Sequence, residues 1–205
     1  MEIELKYELA SNKDYLHLLK YLKEKGEYKG EKLQKNYYFD TPSLFFSSNG
    51  ILFRLREEKD KNIFTIKLAK RRMPGLNVSE EKEVLLSSEL ASILKIDPTS
   101  ISKVLDNKNL IEFFEKFKKD IKLIGTLNNK RIVFLLNDFN IEVDKISIGK
   151  SKIYYEVEIE TPEIEKARLL IETIFNETKI SWRLSNLVKS QRLFNYLKEI
   201  RKKES

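Results

Sequence analysis

Charged residues at alternate positions carry most of the chemical information in this chain. Glu2, Glu4 and Lys6 stand in MEIELKYELA, opposite Met1, Ile3, Leu5, Tyr7 and Leu9. Arg54 and Arg56 occupy ILFRLREE, and Lys67 sits opposite Phe64, Ile66 and Leu68. Glu81 and Glu83 follow in VSEEKEVLL, then Arg131, then Asp144, then Glu156, Glu158 and Glu160 in YYEVEIE. On a strand, a period of two places each set on one face. Confined together, such acids and bases must pair or hold a ligand with metal ions, because unpaired buried charge is very costly. Clustered Arg and Lys suit a polyphosphate, to which Arg presents a planar fork. Carboxylates without His or Cys suit hard cations, Mg²⁺ or Mn²⁺. Both together make a phosphoryl- or nucleotidyl-transfer site. The same alternation also fits an ordinary sheet whose charged face lies in water.

Composition narrows the chemistry. The chain has 205 residues, long enough for one domain with a real core, and no cysteine. Thiolate nucleophiles, Fe–S clusters and cysteine-ligated zinc are therefore excluded. A single histidine, His17, argues against a histidine-dependent triad or a multi-histidine metal site. The net charge of +7 fits an anionic partner or a general lysine-rich bias, and the placement of the charges decides between them. No apolar run approaches the ~20 residues that span a bilayer. The acidic, alternating N-terminus does not read as a signal peptide. A cytoplasmic protein without a membrane partner is expected.

The elements that must position these charges follow from periodicity. Strands are predicted over 1–9, 33–40, 51–58, 62–69, 78–86, 121–127, 130–137, 140–147 and 152–160. Helices are predicted from Ser11 or Asn12 to about 25, within 88–119, from Pro162 to about 176 and from about 185 to 202. Asn49-Gly50, Asn128-Asn129 and Asn137-Asp138 read as turns. His17 reads as solvated surface, Lys70-Arg71-Arg72 as a solvated loop, and Tyr37, Tyr38 and Phe39 as core or wall packing. The class is α+β with mostly antiparallel strands. The helices tip the choice between the two sheet readings. Four amphipathic segments are available to cover outward apolar faces if the sheet closes with its charges inside.

The motifs Glu2-x-Glu4-x-Lys6, Tyr38-Phe39-Asp40-Thr41, Leu52-Phe53-Arg54-Leu55-Arg56, Thr65-Ile66-Lys67 and Tyr155-Glu156-Val157-Glu158-Ile159-Glu160 occur in this order. As a set, over roughly residues 1–195, the chain resembles the CYTH superfamily, the triphosphate tunnel metalloenzymes. That resemblance implies a closed eight-stranded antiparallel β-barrel, a tunnel with a charged interior and helices outside. Residues 1–205 then form a single domain with a helical insertion at about 88–119.

The resemblance also implies the roles. Glu2, Glu4, Glu81, Glu83, Asp144, Glu156 and Glu158 match metal-binding acids, with Glu81 and Glu83 both allowed by parity. Lys6, Arg54, Arg56, Lys67, Arg131, Arg183 and Lys189 match phosphate-binding bases. Among these, Lys6, Arg56 and Lys67 are the expected catalytic bases, and Glu160 falls at the tunnel mouth. The implied activity is Mg²⁺- or Mn²⁺-dependent hydrolysis of a small-molecule triphosphate, inorganic or organic. Cyclisation of ATP to cyclic AMP and pyrophosphate, and non-catalytic binding of polyphosphate or nucleotide, stay open as alternatives. The many acids facing the bases argue against a nucleic-acid partner, and the sequence leaves monomer and homodimer equally open.

Overall fold

The computed structural model describes residues 1–204, with the side chain of residue 204 left aside. Nine strands form, β1 (Glu2–Leu9), β2 (Glu27–Asp40), β3 (Ile51–Glu58), β4 (Lys61–Met73), β5 (Leu76–Leu86), β6 (Lys122–Leu136), β7 (Phe139–Ile148), β8 (Lys152–Glu160) and β9 (Trp182–Leu184). The helices are α1 (Asn12–Lys25), α2 (Phe45–Ser48), α3 (Ser88–Ile96), α4 (Lys108–Phe117), α5 (Ile164–Thr178) and α6 (Lys189–Glu204). Short 3-10 turns at Pro98–Lys103 and Lys118–Asp120 flank α4.

The first eight strands close into an antiparallel barrel in the order β5-β4-β3-β2-β6-β7-β8-β1. The seam is short: Glu2–Leu5 of β1 pair with Ser79–Leu76 of β5. Beyond it, β9 takes the same edge of β1 over Tyr7–Leu9. This extra strand lies where the sequence suggested only the approach to the last helix.

The apolar faces look outward. Leu5, Tyr7, Leu9, Phe134, Val143 and Val157 pack under α1 and α5. Phe39, Phe53, Leu55 and Phe64 pack under α2, α3 and α4. Phe46, Phe53, Phe64 and Phe114 have no exposed surface, and burial of each contributes ~2 kcal/mol. Asp40 sets one anchor of this layer. Its Oδ1 accepts from the N–H groups of Thr41 and Phe46, at 2.7 and 2.9 Å, and its Oδ2 from that of Ser47. The buried carboxylate thereby fixes α2 and directs Phe46 into the core. Inward faces are charged except at one end, where Tyr38, Leu127, Ile146 and Ile148 meet Leu193 and Phe194 of α6. There α6 stoppers the tunnel.

Two expectations are corrected. Asn128-Asn129 is no turn: the strands expected on either side of it merge into the single strand β6, Lys122–Leu136, paired with β2 from Glu27 to Asp40. A two-residue hairpin turn of this type needs positive φ at both centres. Asn137 and Asp138 have it, at 48° and 66°, whereas Asn128 and Asn129 do not. Asn129 instead reaches inward, its Nδ2 donating to Gln34 Oε1 and Asp144 Oδ1, both at 3.0 Å. The basic run Lys70-Arg71-Arg72 is likewise strand and not loop, because β4 extends to Met73 against β5.

Docking of α6 depends on a glycine. Gly149, in the β7–β8 turn, has φ +58°, and a methyl there would overlap the Tyr196 hydroxyl. Gly149→Ala should therefore lower stability by about 1–3 kcal/mol, read as a shifted urea midpoint. An unchanged midpoint would show that α6 docks without this contact.

Candidate active site in the charged tunnel

Alternation along eight strands delivers their polar side chains to one cavity of about 410 Å³. Eight cationic and seven carboxylate side chains line it. Their near balance explains how a protein interior tolerates them.

The floor is a saturated ion network. Asp144 is fully buried. Arg131 grips it bidentately, Nε to Oδ1 at 2.8 Å and Nη2 to Oδ2 at 2.6 Å. Lys189 Nζ lies 2.8 Å from Asp144 Oδ2. Lys6 Nζ lies 2.6 Å from Glu158 Oε1, and Glu158 also receives Arg131 and Lys189. Burial alone would raise Asp144 and Glu158. Arg131 and Lys189 pull Asp144 down instead, and Lys189, Lys6 and Arg131 hold Glu158 well below the carboxylate range. Burial would likewise lower Lys189, but Asp144 and Glu158 raise it.

A second network lies towards the seam. Lys67 Nζ contacts Glu2 Oε2 at 2.6 Å and Glu81 Oε2 at 2.9 Å. Arg54 Nη2 contacts Glu81 Oε1 at 3.0 Å and donates to Thr65 Oγ1. Glu83 is further off, 3.7 Å from Arg54 and 45% exposed, against 11% for Glu81. Burial and the neighbouring Glu81 push Glu2 up to about 7 despite Lys67. Burial would raise Glu81 as well, but Arg54 and Lys67 bring it down to about 2. Glu4 is raised by burial and by Glu158, and its nearest cation, Lys6, lies 3.4 Å away. Glu2 and Glu4 are thus carboxylates short of positive charge.

Arg56 has the opposite shortage. Among the described residues it forms no ion pair, and its one side-chain hydrogen bond is a long one, Nε to Asn36 Oδ1 at 3.4 Å. Burial and the like charges of Arg54 and Arg131 depress it to about 10. A guanidinium does not lose its proton in a protein, so Arg56 stays a cation that burial and its like-charged neighbours disfavour.

The structure brings Glu2, Glu4, Lys6, Arg54, Arg56, Lys67, Glu81, Glu83, Arg131, Glu158, Glu160 and Lys189 onto one cavity wall. Asp144 and Glu156 lie beneath it with no exposed surface. Arg183 does not join them. Its side chain is 73% exposed and pairs with Glu8 at 2.7 Å, because β9 runs along the outer part of the β1 edge. Glu142, Arg72 and Asn36 also line the cavity without having been predicted. Glu142 shares its strand face with Asp144, so the period of two was signal enough to find it. Arg192, three residues after Lys189 on α6, was missed too.

The donor set fits a hard divalent cation. Oxygens of Asp144, Glu156 and Glu158 lie within 4.8 Å of one another, so this cluster is able to hold a metal. Its charge is already met by Arg131, Lys189, Lys6 and Arg192.

The ion networks set an acid limit. Glu81 falls from its usual 4.5 to about 2, and Asp144 and Glu158 shift in the same direction. Their pairing stabilises the fold above about pH 4.5 and is lost as pH falls towards about 2. Glu2 acts oppositely, gaining stability as pH falls through about 7. Thermal stability of the metal-free protein should hold from pH 7 to about 5, then collapse between about 4 and 2. Glu81→Gln should make that collapse shallower; an identical acid limb in the variant would contradict the pairing.

A family model for the CYTH domain matches residues 1–189. Comparison with curated proteins gave no match. Among solved structures, a proposed adenylyl cyclase from Hippeastrum, described as having a dominant triphosphatase activity, superposes with a TM-score of 0.83. It is 22% identical, over 95% of this chain and 96% of that one. A proposed adenylate cyclase from Bacillus halodurans gives 0.72 at 25% identity, over 95% and 97% of the two chains. A protein from Pyrococcus horikoshii gives 0.54 at 20% identity, over 88% and 92%. The strands that build the charged tunnel are the ones the family model covers, and the chain belongs to the CYTH domain family.

Proposed function

We propose that the tunnel hydrolyses the terminal phosphoanhydride of a small-molecule triphosphate with the help of Mg²⁺ or Mn²⁺. The observation that carries this reading is Arg56, a half-buried guanidinium facing the cavity between Arg54 and Arg131 with no carboxylate of its own. Such a charge is stabilised by an anion that brings several oxygens at once. The triphosphatase activity described for the Hippeastrum protein points the same way.

Arg56, Arg54 and Lys67 would receive the phosphate chain from the seam side, and Lys6, Arg131 and Lys189 from the floor. Many of these groups are fixed by carboxylates before substrate arrives, so little reorganisation is needed at the moment of reaction. Glu2 and Glu4, with Glu158, would hold the divalent cation. When bound, it neutralises phosphate charge and orders the attacking water. The water oxygen bonds to the terminal phosphorus, and the bond to the bridging oxygen breaks. Orthophosphate leaves with the water oxygen and one of its protons, the other passes to solvent, and the diphosphate carries away the bridging oxygen's charge, stabilised by the arginines. We further propose that the protein acts in the cytoplasm; no helix among the described residues is long and apolar enough to cross a membrane.

Phosphate release from tripolyphosphate, ATP and thiamine triphosphate, with Mg²⁺ or Mn²⁺ and with EDTA, tests this reading. Metal-dependent orthophosphate is expected. Arg56→Ala should lose on the order of 10²–10³-fold in kcat/KM, as for other preorganised charge stabilisers. Unchanged turnover in that variant would remove Arg56 from the phosphate grip, whereas cyclic AMP from ATP, or binding without turnover, would refute hydrolysis here. Glu4→Ala should shift the Mg²⁺ titration to higher concentration as well as slow the rate, and a superimposable titration would remove Glu4 from the metal site.

A further inference from the structure

Behind the tunnel floor runs a chain of alternating charge that reaches the surface. Lys189 lies 3.5 Å from Glu156 Oε2. On the other oxygen, Glu156 Oε1 accepts from Arg192 Nε at 2.7 Å. Arg192 Nη2 donates to Glu8 Oε2 at 2.8 Å, and Arg183 Nη2 donates to Glu8 Oε1 at 2.7 Å. Arg192 is 2% exposed, and its guanidinium lies over the Tyr154 ring, 4.6 Å from the centroid. Of the charges in this chain, Lys189 alone lines the cavity.

We infer that Arg192 is the positioning residue for Lys189, acting by keeping Glu156 occupied. The reading rests on the tunnel holding phosphate. Arg192 and Lys189 sit three residues apart on α6, on one helix face. Glu156 is fully buried, and its Oε2 has no hydrogen-bond partner. Without Arg192 the buried Glu156 would keep only two longer contacts, Lys189 at 3.5 Å and Lys6 at 3.9 Å, and its Oε1 would lose its only close partner, a costly state. The nearest cation able to relieve it is Lys189. Its ammonium would be drawn from Asp144 and Glu158, at the cavity wall, down onto Glu156. With Arg192 present, Glu156 Oε1 is held from behind and Lys189 stays at the wall. Glu156 is then an internal counter-ion rather than a metal ligand. Arg183 belongs to the outer end of the same chain, which accounts for its distance from the cavity.

The test is calorimetric titration of inorganic tripolyphosphate in EDTA, where binding is read without turnover. Arg192→Met should weaken binding about tenfold. In a Lys189→Ala background the same change should cost less than twofold, since Arg192 acts through Lys189. Adding Glu156→Gln to Arg192→Met should restore affinity to within about threefold, because the competing charge is gone. A purely structural role would not be rescued that way. Equal losses in both backgrounds, or no rescue, would overturn the inference while leaving wild-type binding, and with it the phosphate reading, intact. Absence of wild-type binding would overturn both. If Arg192→Met fails to fold, Arg192→Lys takes its place in the same cycle, with a smaller loss expected and the same two comparisons decisive.

Discussion

The structure turns on the mutual neutralisation of charges shut inside a barrel. Moving one carboxylate or ammonium from water into a protein interior costs several kcal/mol even after relaxation. Eight cations and seven carboxylates line this cavity, and further acids lie beneath it. Such a set is tolerable only if each charge has opposite charges within reach, and pairs such as Arg131–Asp144 and Lys67–Glu81 meet that demand. The exceptions then become informative. Arg56 forms no ion pair among the described residues, and Glu2 and Glu4, with one lysine each, are still raised by burial and neighbouring carboxylates. A phosphate chain and a divalent metal are complementary to those two shortages.

The remainder of the fold follows from this inversion. With charges inside, the outward faces of the strands are apolar and must be covered. The helices α1 and α5 cover one flank, and α2, α3 and α4 another. The remaining helix, α6, closes one end of the tunnel and adds Lys189 to its wall. Covering the barrel and completing the site are therefore linked at α6: the helix whose Leu193 and Phe194 seal the apolar end also delivers a cation to the carboxylate floor.

Much of this was legible in the sequence, for a physical reason. A strand's period of two is unaffected by what its faces meet, so alternation identified many of the inward charges between Glu2 and Glu158, though not Glu142. The alternation could not say which face was wet. That choice came from the number of helices needing apolar surface and from the ordered motifs of the family. The failures have equally specific causes. Asn128-Asn129 has turn composition, but pairing with β2 on one side and β7 on the other overrides it. Arg183 lies near Lys189 in sequence, yet a three-residue strand carries it along the barrel edge to the surface. Arg192 sits on a helix rich in Lys and Arg, where composition alone does not separate a buried cation from solvated ones. The resemblance left Glu81 and Glu83 equivalent, and only the packing of Arg54 and Lys67 around Glu81 distinguishes them.

The most direct test of the account is a crystal structure of the protein with tripolyphosphate and Mn²⁺, the metal placed by its anomalous signal. The account predicts phosphate oxygens within hydrogen-bond distance of Arg54 and Arg56 inside the barrel, and a Mn²⁺ peak beside Glu2 and Glu4. Tripolyphosphate bound only on the outer surface, with Arg56 still lacking an anion, would contradict it.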